Sequence, residues 1–156
     1  MELQNVLWVD DKILAVGFDH KPCITIREIL PSDDKAVKKA KKKYPFMVTK
    51  DLTVDLYDKR KEVHYHFTIP KGYCYDGASV PRMFWRIIGA PTDNSFLIPA
   101  LIHDVLCEHK ELVNYDRYFA DKVFERLLTV NDVSAFKRWL IFHSVDNWQK
   151  FQGWGK

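Results

Sequence analysis

Apolar and polar residues alternate along two neighbouring segments, and this alternation limits the fold more than any other feature of the chain. Every second residue is apolar from position 52 to position 56 and again from 63 to 67. A period of two is typical of β-strands that bury one face, and the charged run 58–61 predicts a hairpin connection. His64 and His66 then share one strand face. Such a pair can bind a metal ion, but a solvated sheet face is the favoured interpretation.

The last third of the chain has a different period. Apolar residues recur at helical spacing, which predicts a helix over about 96–109, a second with Asn114 as its N-cap that runs to about Thr129, and a third from Asp132. Pro99 is compatible only with a first helical turn, so the first helix should begin beyond Ser95. We therefore predict an α+β fold, with a mostly antiparallel N-terminal sheet, one short basic helix, and a C-terminal three-helix region packed on the sheet.

Length and cysteine usage predict one domain spanning residues 1–156. Cys23, Cys74 and Cys107 are far apart and show no CxxC spacing, which argues against a disulfide framework and a Cys-rich zinc site. The N-terminus lacks the pattern of a signal peptide, and apolar runs are far shorter than the roughly 20 residues of a membrane span. We expect a cytoplasmic protein with no membrane partner.

The net charge of +3 comes from one lysine-rich segment, Lys35–Lys43. Without its six lysines the remaining 18 basic residues face 21 acidic ones, a balance of −3. Ser32 is the expected N-cap of a helix through this segment, and Pro45 should end it. The segment Lys35–Lys43 is a candidate surface for nucleic acid or an acidic partner, with a solvated helix face as the alternative.

A turn rich in functional groups follows the strands. Gly77 permits a sharp backbone turn that can bring Asp76 and Ser79 to one side, and Pro81 fixes the exit of the chain toward Arg82. A reaction site is one interpretation of this turn. The alternative is a rigid turn in which Asp76 and Ser79 bind neighbouring backbone amides.

His103 and Asp104 interrupt an otherwise apolar helix. Imidazole nitrogen and carboxylate oxygen suit zinc, manganese or iron, although neighbours on a helix point about 100° apart and an ion must lie between them. Asp121 falls near the apolar stripe of the next helix and can reach this pair across a helical hairpin. The alternative is that His103 donates to a backbone carbonyl, Asp104 pairs with a basic side chain, and Asp121 is an ordinary exposed acid.

Taken in order, these motifs resemble a family. The run from Gly72 through Asp76-Gly-Ala-Ser to Arg82, the pair His103-Asp104, and Ala120-Asp121 are similar to phage and prophage proteins of domain-of-unknown-function family 1353 (DUF1353). The resemblance covers roughly residues 46–150 and leaves residues 1–45 as an N-terminal extension. Tyr75 departs from the family, where threonine is common. The resemblance implies a phage or prophage source, and hence the cytoplasm of a host cell.

Two functions are compatible with these residues. In the first, a metal-dependent hydrolase, the Asp and His side chains bind a divalent ion that activates water, while Ser79 or Arg82 contacts an oxyanion or phosphate. Its substrate would be a phosphoester or a peptidoglycan-type amide. In the second, a non-enzymatic phage accessory protein binds a host or virion protein, and the cluster is a structural polar network. The candidate catalytic residues are Asp76, Ser79, Arg82, His103, Asp104 and Asp121. The candidate metal ligands are Asp76, His103, Asp104 and Asp121.

Overall fold

A computed structural model describes residues 8–10, 12–76 and 94–130. Strands occupy the first part of the chain and helices the second, with one short helix among the strands. The elements in chain order are β1 (Trp8–Asp10), β2 (Leu14–Phe18), β3 (Ile24–Ile26), α1 (Lys35–Lys43), β4 (Phe46–Val48), β5 (Leu52–Asp58), β6 (Val63–Ile69), β7 (Cys74–Tyr75), α2 (Asn94–Glu108), a 3₁₀ helix (Lys110–Val113) and α3 (Arg117–Val130).

The strands form two antiparallel sheets. The larger has the order β1-β2-β5-β6, and the smaller has the order β3-β4-β7. Buried side chains of both sheets and of the helices α2 and α3 make up one apolar core. The predicted α+β class is therefore confirmed. The third predicted helix, from Asp132, lies outside the described residues.

Alternation along β5 and β6 places most of the apolar residues as predicted, although Val63 at the start of β6 is 38% exposed. Leu52, Val54 and Leu56 are fully buried on β5, and Val54 pairs in register with Phe67 of β6. The intervening His64 and His66 are exposed, so the interpretation of a solvated sheet face is confirmed.

The β5–β6 turn is fixed by a buried carboxylate. Asp58 is fully buried, and both its oxygens accept hydrogen bonds from the Arg60 guanidinium, at 3.2 and 3.0 Å. The same guanidinium lies 4.7 Å over the ring of Tyr118 on α3. Next to it, Lys61 Nζ lies 2.6 Å from the carboxylate of Asp116. The turn thereby joins the sheet to the start of α3.

Both predicted N-caps were wrong by two residues. Asp34, rather than Ser32, caps α1, because its Oδ1 accepts from the amide of Val37 at 2.8 Å. Asp116, rather than Asn114, caps α3, since its Oδ1 accepts from the amide of Phe119 at 3.0 Å. Asn114 instead ends the 3₁₀ helix in the left-handed conformation, with φ 52°, which asparagine tolerates better than most residues.

The centre of the helix α2 is buried. Every residue from 97 to 106 is buried, which is expected of a helix that is apolar all round. The helix begins at Asn94, so Pro99 lies in its second turn and not in the first. The prediction that the helix begins beyond Ser95 was therefore wrong. No helix within the described ranges is both long and apolar enough to cross a membrane.

Candidate functional site

His103 is buried between the two long helices. Its side chain is 2% exposed, and its ring centroid lies 4.5 Å from that of Phe124 on α3. Nε2 of His103 is 3.6 Å from Oδ1 of Asp121. This distance is within reach of an ion pair but longer than an ordinary hydrogen bond. The predicted approach of Asp121 to the His-Asp helix is therefore present in the structure.

Asp121 occupies the border between core and solvent. Its side chain is 17% exposed, so one part of the carboxylate faces the buried imidazole while another remains accessible. Arg117, one turn earlier on α3, places its Nε 3.6 Å from Oδ2 of Asp121. The carboxylate thus lies between an imidazole and a guanidinium.

Asp104, the neighbour of His103, is also buried, at 7% exposed. Its charge contributes to the raised pKa of the phenols of Tyr73 and Tyr75 around β7. Burial first, and then the charge of Asp104, raise the pKa of Tyr75 well above its usual range. The two neighbours point about 100° apart on the helix.

Asp76 follows β7 directly and is half-buried. Its charge also contributes to the raised pKa of Tyr73. Ser79 and Arg82, which follow Asp76 along the chain, lie outside the described residues.

Three polar residues near this site were not predicted from the sequence. Tyr73 donates a hydrogen bond from its phenol to Oε2 of Glu108 at 2.7 Å. Sγ of Cys107 lies 3.6 Å from each ring nitrogen of His103. The spacing of two of them could have indicated the site. Cys107 follows His103 by four residues and Glu108 follows Asp104 by four, so each shares a helix face with the earlier residue.

The arrangement provides groups for proton transfer and for binding a cation. A buried imidazole beside a carboxylate is the usual pairing for a general base or a metal ligand with its orienting partner. Across residues 8–10, 12–76 and 94–130, however, no three His, Cys, Asp or Glu side chains are gathered as a ligand set for a metal ion.

Fold and site together define an α+β domain in which a buried histidine faces a carboxylate across a pair of helices. A family described as "Protein of unknown function (DUF1353)" matches residues 46–145, which include every described element from β4 to α3. The chain belongs to this family.

A curated relative carries no assigned function either. An uncharacterized protein, y4jT, of Sinorhizobium fredii (strain NBRC 101917 / NGR234) is 42% identical to this chain over 77 residues. The match covers 49% of this chain and 22% of the relative, so the chain spans about a fifth of the length of that protein. No solved structure matches the chain.

Proposed function

We propose that this protein is a metal-dependent hydrolase whose reaction centre is built on the pair His103 and Asp121. One observation carries the proposal, namely the distance of 3.6 Å between Nε2 of His103 and Oδ1 of Asp121. Two ligands that each lie about 2.1 Å from one tetrahedral ion are about 3.4 Å apart. The pair is therefore too wide for a good hydrogen bond and close to the spacing of two ligands on one divalent ion.

Cys107 adds to the support for zinc among the candidate ions zinc, manganese and iron. Sγ of Cys107 lies 3.6 Å from both ring nitrogens of His103. Because it is equally far from both, it lies over the imidazole, and it would reach an ion on either nitrogen after a change of side-chain conformation. Thiolate, imidazole and carboxylate together suit zinc better than magnesium or calcium.

The other candidate residues have supporting roles in this proposal. Asp76 or Asp104 would complete the ligand set after a change of side-chain conformation. Ser79 and Arg82 would contact an oxyanion or phosphate, and the ion would lower the pKa of a bound water toward neutrality. The substrate class we propose is a phosphoester or a peptidoglycan-type amide, and we propose a phage or prophage source from the motifs that the family shares.

Metal content of the purified protein, measured by mass spectrometry, tests the proposal. The wild type should contain a transition metal in near-stoichiometric amount, and His103→Ala and Asp121→Asn should lose it. The second variant keeps the size of a side chain at the edge of the core, 17% exposed, so it should fold even if the first does not. His109→Ala is the matched control, because His109 follows α2 and its side chain is 51% exposed.

A second candidate function is that of a non-enzymatic phage accessory protein that binds a host or virion protein. The hydrogen bonds that tie tyrosines around β7 to α2 favour it, because they give the cluster a structural role. Tyr75 donates from its phenol to the carbonyl of Leu97 at 3.0 Å, and Tyr73 donates to Glu108 at the other end of the helix. Wild-type protein without metal, and site variants that only lower thermal stability, would reject the hydrolase and support this alternative.

A further inference from the structure

The helix α1 has an apolar face that nothing in the described structure buries. At 100° per residue, Ala36, Val37, Ala40 and the following Tyr44 fall within an arc of about 100°. The six lysines of the helix occupy the remainder of its circumference. No residue of α1 is buried, and Val37 is 38% exposed. Since a helix in a globular protein normally buries its apolar face, α1 differs from α2 and α3.

The lysines of α1 repel one another. Lys35 and Lys39, like Lys38 and Lys42, are separated by one helical turn, and like charges at that spacing destabilise a helix. A nine-residue helix is already marginal by itself in water. The ion pair of Lys41 with Asp33, at 2.6 Å, compensates for part of this repulsion. An anionic partner on the lysine face would relieve the rest.

Further exposed aliphatic side chains lie in the segment that precedes α1. Ile26 is 52% exposed, and Ile29 and Leu30 are each 41% exposed. Nζ of Lys41 donates to the carbonyl of Glu28 at 2.8 Å, which joins the backbone of this segment to the helix. Exposed aliphatic residues are common singly, but a group bordered by cations indicates an interaction surface.

This surface lies outside the part of the chain that the family shares, because the family match begins at residue 46. Its role is therefore separable from that of the site between α2 and α3. We propose that α1, together with Ile26, Ile29 and Leu30, binds this protein to the surface of a membrane that contains anionic lipids. The inference is independent of the proposed hydrolase.

An anionic membrane surface is complementary to both faces of the helix, the basic one and the apolar one. Basic amphipathic helices lie in the headgroup region, with lysines toward anionic headgroups and apolar side chains toward the acyl chains. Nucleic acid would neutralise the lysines but leave the aliphatic side chains in water, and the aromatic side chain on this face, Tyr44, is partly buried and less available for base stacking. The sequence predicted no membrane partner because it contains no spanning segment. A helix that lies on a membrane surface needs none.

Vesicle flotation tests this proposal with the full chain. Wild-type protein should float with vesicles of phosphatidylcholine and phosphatidylglycerol, remain unbound to phosphatidylcholine alone, and dissociate in high salt. Each lysine near an anionic surface contributes about fivefold to the partition constant. The triple variant Lys35→Gln, Lys39→Gln and Lys42→Gln should therefore bind roughly a hundredfold more weakly, and glutamine preserves helix propensity.

Two further variants separate membrane binding from general electrostatics. Val37→Gln should weaken binding severalfold without a change of charge, because it removes an aliphatic group from the apolar face. The matched control changes three exposed lysines elsewhere, namely Lys12, Lys21 and Lys71, to glutamine, and it should retain most of the affinity. Absence of wild-type flotation with anionic vesicles, or an equal loss in the control, would overturn the proposal. So would tighter binding to duplex DNA that depends on the α1 lysines but not on Val37.

Discussion

The phenol of Tyr73 donates a hydrogen bond to Oε2 of Glu108, and this contact joins the residue before β7 to the last residue of α2. Two residues later, Tyr75 donates to the carbonyl of Leu97 near the start of the same helix. The two tyrosines thus hold α2 against the smaller sheet at both ends. Because His103 and Asp104 lie between these two contacts, the tyrosines determine how the site is oriented relative to the sheet.

Tyr73→Phe should destabilise the protein through the loss of this hydrogen bond. A hydrogen bond to a charged group contributes about 1.5 to 3 kcal/mol, and the carboxylate of Glu108 is partly solvated, so we expect the lower end of that range. Urea denaturation measures the change in the free energy of unfolding. Tyr115→Phe is the matched control, because Tyr115 is 68% exposed and should change stability little. Equal effects of the two substitutions would contradict this role of Tyr73.

The same two tyrosines should resist ionisation in alkaline solution. Burial, the hydrogen bond to Glu108, and the charges of Glu108, Asp104 and Asp76 raise the pKa of Tyr73 far above its usual range. Burial and the charge of Asp104 do so for Tyr75. A raised pKa in the folded state stabilises the protein below the unfolded value of about 10, and the stabilisation is lost as the pH rises further.

Absorbance of the phenolate during a pH titration measures this behaviour. The phenolates of Tyr73 and Tyr75 should appear only with alkaline unfolding. Tyr73→Phe should therefore reduce the absorbance change that accompanies unfolding by one tyrosine. If it instead reduces the absorbance change that precedes unfolding, Tyr73 ionises in the folded protein and its contact with Glu108 is absent.

Asp116 should stabilise the protein in two separable ways. Burial alone would raise its pKa, but the hydrogen bonds from Lys61 and from the amide of Phe119, with the charges of Lys61 and Arg60, lower it below the usual range. A lowered pKa contributes stability above the unfolded value of about 3.9, which is lost as the pH falls through the folded value. Asp116→Asn keeps an N-cap but removes the charge.

Comparison of two variants of Asp116 distinguishes these contributions. At neutral pH, Asp116→Ala should lower the free energy of unfolding by about 1 kcal/mol more than Asp116→Asn, since it also removes the cap. The difference between wild type and Asp116→Asn should shrink below about pH 4. A difference that stays constant down to acid pH would show that the charge of Asp116 does not contribute.

Much of the fold could be predicted from local patterns. The alternation along β5 and β6 and the apolar periodicity of α3 predict which faces are buried, and the structure follows them except at Val63, which is 38% exposed. The N-caps could not be predicted from the local sequence. Ser32 and Asp34 are both acceptable N-cap residues for α1, and Asn114 and Asp116 are both acceptable for α3. At α3 the neighbouring Lys61 favours the acidic choice, and that contact crosses 55 positions of sequence.

Part of the candidate site could also be predicted from local patterns. Two helices joined by a short connection pack side by side, so a polar residue on the inner face of each should meet its counterpart, as His103 and Asp121 do. Tyr73 and Glu108 are 35 residues apart, and no pattern connects a strand to a helix over that distance. Cys107 was overlooked because a single cysteine on an apolar helix behaves as a small apolar residue.

Zinc should protect Cys107 from alkylation if His103 and Asp121 bind it. Sγ of Cys107 lies 3.6 Å from both ring nitrogens of His103, so an ion held by the imidazole would either bind the thiolate or block access to it. Iodoacetamide labelling followed by peptide mass spectrometry reports each cysteine separately. Cys23 is the internal control, because it is exposed and its hydrogen-bond acceptor is the carbonyl of Lys21.

The expected result is slower labelling of Cys107 in zinc, unchanged labelling of Cys23, and no protection of Cys107 in Asp121→Asn. This pattern would connect the thiol, the imidazole and the carboxylate through one ion, which metal content alone does not do. Equal slowing at both cysteines would indicate zinc bound to each thiol independently. Unchanged labelling of Cys107 would place any metal away from His103, and would favour a structural role for the buried pair.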